Sequence, residues 1–474
     1  MSKAKNKSDK RQVKPQPQSL TDEGRRRFLA LGLGGFGTLA LAGATGVIGY
    51  RAGWFGSNPA PTASPAPVAP TPNLATGKSL PPVTLPADAP NALRAAEDFV
   101  SHYARELNNP SVLIHAVRAF GKNFKLNDGT KAVDHLCSKY AAEREVNNKR
   151  YVYFELEAEV HENSFLKTLL EAGVSPDQPV TVGNNKYTLR DLGESAKSLF
   201  RCDPQNLQRY DPTLIHMHLP WGLIAFSILV PPSKSTWVNA YGETINLPEV
   251  INSGLAAFEG SCSGVGEIIA HGEDEPLPFR QEMAKYSCAG MHMYYGFFSC
   301  LKHGYREHDL QQRLQRLLDS LILRLQGDSE AIKRETVIAH QYGQEYVKGI
   351  GVTKDGRSTT RGNPPPGVID VMSLRHMIKA VGHALEAINY VQLHHLFNLT
   401  AEQKKRVQAG EQVLYEYLVK LRAVDMAPYM YWHDKFVSDT LIAVAHAVRA
   451  MKLLTRENPD TIAFFRPDGQ IFES

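Results

Sequence analysis

Cysteine is scarce in this chain. There are five, Cys137, Cys202, Cys262, Cys288 and Cys300, in 474 residues. An odd count leaves at least one unpaired within the chain, and a chain of this length does not need disulfides to hold a core together. Cys288 and Cys300 fall on one expected helix, about 18 Å apart by helical rise, so they cannot bridge there. Several signatures are missing altogether. There is no glycine-rich loop ending in Lys-Ser/Thr to cradle phosphates, no Gly-x-Ser-x-Gly elbow and no His-Glu-x-x-His. The glycines of Gly260-Ser261-Cys262-Ser263-Gly264-Val265-Gly266 follow no clear strand and read as a loop. No basic tract occurs in the body of the chain. The whole chain is +4 and residues 1–50 carry +6, which leaves −2 for residues 51–474. The alkaline isoelectric point, about 8.6, therefore belongs largely to the N-terminal segment. Nothing electrostatic points to nucleic acid as a partner.

What is present begins at that N-terminus. Residues 1–27 hold nine Lys/Arg and three Asp/Glu, and residues 28–50 carry no charge. Gly24-Arg25-Arg26-Arg27-Phe28-Leu29-Ala30 has two arginines, any residue, then Phe-Leu. It resembles a twin-arginine export signal, which implies the twin-arginine export machinery as a partner through residues 24–30 and folding before export. Ala42-Gly43-Ala44 offers a cleavage site of small residues. If uncleaved, residues 28–50 are long enough to contact the membrane as an anchor. They are rich in Gly and Ala and poor in large aliphatics, so insertion is weaker than for a leucine-rich span. Either outcome places the body in the periplasm or otherwise outside the cytoplasm. Residues 51–89 form a Pro/Ala-rich linker of extended character. The organisation expected is thus residues 1–50 as signal or anchor, 51–89 as linker and 90–474 as a folded domain.

The body reads as all-α. Apolar residues recur at three- and four-residue steps over Ala92–Leu107, Pro110–Phe120, Thr130–Ala142, Asp191–Phe200, Pro220–Leu229, Leu247–Phe258, Ala289–Lys302, His308–Leu325, Ser329–Val347, Leu374–Leu396, Ala401–Ala423 and Asp434–Leu454. Tyr151–Val160 alternates and reads as extended, and Val180–Leu189 as a hairpin around Gly183-Asn184-Asn185. Two internal echoes stand out. Val182–Leu192 and Tyr241–Val250 are each a turn, a polar tip and a helix beginning at Leu. His115-Ala116-Val117-Arg118-Ala119 is repeated as His446-Ala447-Val448-Arg449-Ala450. Repeated helical hairpins that close on themselves make an α/α toroid with a funnel at its centre, and an open α-solenoid is the alternative.

Four places hold candidate chemistry. His383 and Glu386 are three apart and share a helix face, a pairing suited to acid–base work, and Gly382 permits close approach. Cys288 and His292 are four apart, a spacing that can hold two zinc ligands, but no second pair at metal spacing accompanies them. His216 and His218, two apart, do not share a face. No metal ligand set and no cofactor is assigned on this basis. His446 shares a face with Arg449, which can grip an anion. The aromatic cluster Tyr429–Asp434, with Trp432 and His433, suits a sugar ring, as does Trp221 at the start of a helix. Each histidine has an ordinary alternative as a hydrogen-bonded core residue, and each aromatic as packing.

Three segments, Lys186–Leu192, Cys288-x-Gly290-x-His292 and Gly382-His383-x-Leu385-Glu386, together resemble a group of exported bacterial all-helical toroid proteins. That group is similar in fold to prenyltransferase-like and terpene-cyclase-like toroids. Gly382-His383-x-x-Glu386 with the later His446-x-x-Arg449 also resembles sugar 2-epimerases of the N-acylglucosamine type, whose histidines serve as an acid/base pair. Here 63 residues separate His383 from His446, and Ala387 stands where that family has an aromatic residue. That resemblance matches Gly382, His383, Glu386, His446 and Arg449 and implies the histidines as acid/base groups. The residues themselves suggest an exported enzyme with a funnel-shaped site, with His383 as acid/base, Glu386 its orienter, His292 and His446 on the opposite wall, and Arg449, Trp221, Trp432 and His433 against a glycan or other small ligand. The competing expectation is a noncatalytic binding or scaffold module of the cell envelope, in which every histidine is locked in interhelical hydrogen bonds.

Overall fold

The computed structural model describes residues 86–107, 109–201, 212–270, 283, 286–348, 360–455, 464–465 and 471–472. The expected export signal, nearly all of the expected linker, and Cys202 lie outside the described residues. So does the candidate span at 28–50; among the described residues no helix is long and apolar enough to cross a membrane.

The chain is mostly helical, as its periodicity predicts. Helices α1 (Ala89–Leu107), α2 (Pro110–Phe120) and α3 (Ala132–Lys139) precede the hairpin β1–β2 (Ala141–Val146, Lys149–Phe154). Helix α4 (Ser164–Glu171) follows, then the hairpin β3–β4 (Pro179–Val182, Asn185–Thr188) and α5 (Leu189–Leu199). Helix α6 (Pro212–Leu229) leads to β5–β6 (Thr236–Val238, Thr244–Asn246) and α7 (Leu247–Ala270). Among the described residues the second half contributes the helices α8 (Met291–Lys302), α9 (Leu310–Tyr342), α10 (Val368–Leu393), α11 (Ala401–Arg422), α12 (Ala427–Trp432) and α13 (Asp434–Lys452).

The echoed turn–helix segments are two copies of one local device. In both, an antiparallel hairpin runs directly into a helix whose first residue is Leu. In the first copy Gly183-Asn184 closes the hairpin, with Gly183 at φ 56°. The Thr188 hydroxyl then accepts from the Asp191 backbone N–H while the Asp191 carboxylate accepts from that of Thr188. Leu189 and Leu247 drop into the core at 1% and 0% exposure.

Several boundaries differ from the periodicity. The helix expected over Thr130–Ala142 ends at Lys139, because Ala141 already pairs with Phe154. The extended stretch Tyr151–Val160 is a strand only to Phe154 and then makes a helical turn at Leu156–Glu159. Pro220 lies inside α6 rather than at its start. It is held there by close packing on α8, where a Cβ at Gly296 would stand 3.1 Å from the Pro220 carbonyl. The two helices expected over His308–Leu325 and Ser329–Val347 are one continuous helix to Tyr342. A mid-helix glycine such as Gly327 costs only about 1 kcal/mol, and Leu314, Leu318, Leu321 and Leu325 are all buried along the same helix.

Helix α10 is the centre of the molecule. Twenty of its 26 residues are buried, and it packs against α8, α9, α11 and α13. Its apolar residues are not confined to one stripe, as expected for a helix enclosed on nearly all sides. The tightest crossing is with α13 at Gly382, where an added Cβ would lie 3.1 Å from Ala447 Cα and 3.2 Å from its backbone nitrogen. Backbone cannot yield as a flexible side chain can. Replacing Gly382 by Val should therefore lower stability by about 1–3 kcal/mol, visible as a reduced Tm. An unchanged Tm would show that α10 and α13 do not approach this closely in solution.

Candidate functional site: a two-tier polar centre

Five helices each contribute to one buried polar centre, and four of them use the same three-residue step. His115 and Arg118 lie on α2, His292 and Tyr295 on α8, His383 and Glu386 on α10, and His446 and Arg449 on α13. Side chains three apart project side by side on a helix, so the four helices build two adjacent tiers, one of histidines and one of charges. Lys167 and Glu171, four apart on α4, complete the charged tier.

Glu386 organises that tier. It is 2% exposed. One carboxylate oxygen accepts from Arg118 Nε at 2.8 Å and lies 2.9 Å from Arg449 Nε. The other accepts from His446 Nδ1 at 2.6 Å. Glu171 is paired with Arg118 and accepts from Lys167 at 3.3 Å and from the Tyr295 hydroxyl at 2.5 Å. Arg449 donates to the Tyr295 hydroxyl at 2.8 Å. Burial alone would raise both carboxyls. Arg118, Arg449 and Lys167 override it and hold Glu386 and Glu171 at about 2. Burial, with Arg118 beside it, draws the Lys167 ammonium down to about 7. Two guanidiniums thus face two carboxylates with no net charge, the balance a dry interior requires.

The histidine tier lies against it. The ring centroids of His383 and His446 are 3.7 Å apart, those of His292 and His383 5.1 Å, of His292 and His446 5.4 Å, and of His115 and His446 5.0 Å. Because an ionised carboxylate only accepts, His446 carries its proton on Nδ1 and a lone pair on Nε2. His383 Nδ1 lies 2.7 Å from the Lys379 carbonyl, which also only accepts, so its lone pair is likewise on Nε2. Neither Nε2 has a hydrogen-bond partner among the described residues, and neither does Arg118 Nη2. Burial, together with the neighbouring His383, pushes His292 and His446 well below the usual histidine range. The Cys288 thiol closes the far side. Burial would raise it, but Lys379 and His383 bring it down to about 6.

The four histidine and glutamate positions expected to act together, His292, His383, Glu386 and His446, do converge, and Arg449 joins them. The pairing differs from the expectation in one respect: Glu386 orients His446 across the helix interface, not His383 on its own helix. Trp221 also reaches the centre. Its indole stacks on His161 at 4.0 Å and tilts against His292 at 4.6 Å. Trp432 and His433 do not reach it. His433 caps α13 through its Nδ1, which accepts from Lys435 N–H. It precedes His446 by thirteen residues on one helix, about 20 Å by rise. Trp432 packs on Phe436 beside it.

The expectations omitted Lys167, Glu171 and Tyr295, and read His115 and Arg118 only as part of an echo. That echo was the available signal. Its two copies lie on α2 and α13, which pack together; the two histidines meet ring to ring and the two arginines grip the same Glu386 oxygen.

The charge pattern predicts an acid-sensitive fold. Burial holds His115 and His303 down at about 3. Between pH 6.5 and 3 the unfolded chain therefore binds protons that the fold refuses, and stability falls as pH falls. Glu171 and Glu386 act the same way between their ordinary range and about 2. Each group contributes about 1.4 kcal/mol per pH unit across its window. Glu159, raised by burial, works in the opposite sense. Urea midpoints measured from pH 7 to 4 should drop steadily, and a flat profile would contradict this charge assignment.

No protein-family model matches the chain, and neither a curated protein nor a solved structure matches it.

Proposed function

We propose that this chain is an extracytoplasmic enzyme that moves a proton on a small polyhydroxy or glycan-type substrate, with His446 as the base and Glu386 as the group that orients it. The observation that carries the reading is the pair of buried Nε2 atoms, on His383 and His446, without hydrogen-bond partners among the described residues. A polar core that serves only as scaffold closes its hydrogen bonds, because each open one in a dry interior costs about 1–3 kcal/mol. A centre that must receive a substrate keeps them open.

The chemistry follows from the contacts. His446 presents its Nε2 lone pair to a substrate C–H or O–H. As that proton transfers, the ring becomes an imidazolium, and Glu386 at 2.6 Å stabilises it. Arg118 Nη2 is the donor available to the oxygen on which negative charge develops. In the metal-free chain His383, whose ring centroid lies 3.7 Å from that of His446, can hold and return the proton. The closed toroid is part of the proposal, with α2, α4, α8, α10 and α13 as its inner helices; what supports it is that these five share one polar centre. The export signal at residues 24–30 and the apolar run at 28–50 support the location.

Solvent exchange tests the chemistry. The protein is incubated in D₂O with a panel of reducing sugars, amino sugars and uronates, and carbon-bound deuterium is read by NMR. Exchange is expected in at least one substrate, falling by about 10²-fold or more in His446→Asn and Glu386→Gln and unchanged in Trp432→Phe. Absence of exchange across the panel, or full exchange in His446→Asn, overturns the proposal. For the location, replacing Arg25 and Arg26 together by Lys should retain the protein in the cytoplasm on cell fractionation; undiminished export would remove the twin-arginine route.

A further inference from the structure

We propose that Cys288, His292 and His383 form a site for one divalent transition-metal ion of the zinc class. One donor atom from each lies within 4.8 Å of the other two. Cys288 and His292 are neighbours in sequence, whereas His383 arrives from α10, so the third donor exists only in the folded chain. The site makes no use of the base role of His446, and it takes the His383 lone pair, so with metal bound His383 is not available to return a proton.

Each donor is presented rather than merely nearby. Cys288 sits in a turn, Ser287–Gly290, where three consecutive residues have left-handed backbone: Cys288 at φ 49°, Ala289 at 51° and Gly290 at 78°. Such a conformation is costly for a non-glycine residue and persists only where the surroundings enforce it. Here Gly290 is wedged under Phe258 and Met283, where a Cβ would meet side-chain atoms at 2.7 and 2.4 Å. His292 follows in the first turn of α8, its ring fixed against Trp221. His383 donates its Nδ1 proton to the Lys379 carbonyl at 2.7 Å, which sets the tautomer with the lone pair on Nε2. A ring nitrogen bonded to a backbone carbonyl behind a free lone pair is the usual outer-shell arrangement of a metal-binding histidine.

The donor set selects the ion. A thiolate and two imidazoles suit zinc or cobalt and offer nothing to magnesium or calcium, which prefer oxygen. With metal–sulfur and metal–nitrogen bonds of about 2.3 and 2.0 Å, tetrahedral ligand atoms stand roughly 3.3–3.6 Å apart. The three donors need to close by little more than 1 Å, within the reach of side-chain rotation. Three protein ligands leave one coordination position open, which is the pattern of a reactive site rather than a purely structural one. The centroid of the His446 ring lies 3.7 Å from that of His383. The cysteine is consumed as a ligand, so it is not free for disulfide exchange.

The test uses the untagged full-length chain, stripped with chelator and reconstituted with zinc or cobalt(II). Elemental analysis should find about one equivalent of zinc per chain. The cobalt form should show a thiolate-to-metal charge-transfer band together with the intense visible bands of a four-coordinate ion. Cys288→Ser should abolish the charge-transfer band, Cys262→Ser should leave it intact, and His383→Gln should weaken binding by at least about tenfold. If Cys288→Ser fails to fold, the wild-type cobalt spectrum still decides. Failure of the wild type to take up stoichiometric metal, a six-coordinate cobalt spectrum, or a charge-transfer band that survives Cys288→Ser overturns the site. Because the readout is metal content and spectrum, these outcomes are independent of whether any sugar exchanges deuterium.

Discussion

A single carboxylate, Glu386, sets the terms for the interior of this protein. It lies in the middle of the most enclosed helix, where an isolated charge could not remain ionised. Two arginines from different helices and one histidine surround it, so α2, α10 and α13 must meet at one height and in one rotation. Moving any of them by a turn would strand a guanidinium or the carboxylate without a partner, at several kcal/mol for each uncompensated charge. The close approach of Gly382 to Ala447 is the backbone counterpart of the same constraint, since it is what lets the side chains one turn away reach each other.

The histidine tier follows from the charged tier beneath it. Because His-x-x-Arg, His-x-x-Tyr, His-x-x-Glu and His-x-x-Arg use the same step on four helices, anchoring the second residue of each pair places the first. His446 is fixed directly by Glu386, His383 by the carbonyl one turn back, and His292 by Trp221. Burial and neighbouring charges hold His292 and His446 well below the usual histidine range, and His383 and His446 turn their Nε2 lone pairs away from their anchors. Both readings of the centre, proton transfer at His446 and metal binding by Cys288, His292 and His383, draw on that one property. They share the His383 lone pair and differ in the other groups they use.

Much of this was legible before folding was considered. Helix positions followed the three-and-four periodicity closely where packing demands are ordinary, as at Pro110–Phe120 and in the hairpin closed by Gly183-Asn184. The errors came where a distant partner overruled a local preference. Ala141 became a strand because Phe154 pairs with it, and Gly327 did not break its helix because Leu325 is clamped on Gly410 of α11. For the site, histidines on apolar helices were readable as candidates, since an imidazole in such surroundings needs a reason. Arg118, Lys167 and Glu171 were not, because a charged residue in an amphipathic helix reads by default as facing water. Trp432 and His433 show the opposite failure: an aromatic cluster attractive in composition lies a helix length from the centre.

Taken alone, the sequence determined the helical class, the hairpins that introduce two of the helices, the uncharged run behind a basic N-terminus, the lack of a basic body and the pairs of polar residues sharing a helix face. All of these depend on spacing along the chain, which backbone geometry converts directly into local structure. Tertiary packing alone decided that Glu386 serves His446 rather than His383, that the repeated His-Ala-Val-Arg-Ala segments face each other across one carboxylate, and that His383 completes a donor set begun by Cys288 and His292. Those outcomes depend on how far apart helices sit and how they are rotated, quantities set by the sum of many buried contacts and recorded at no single position.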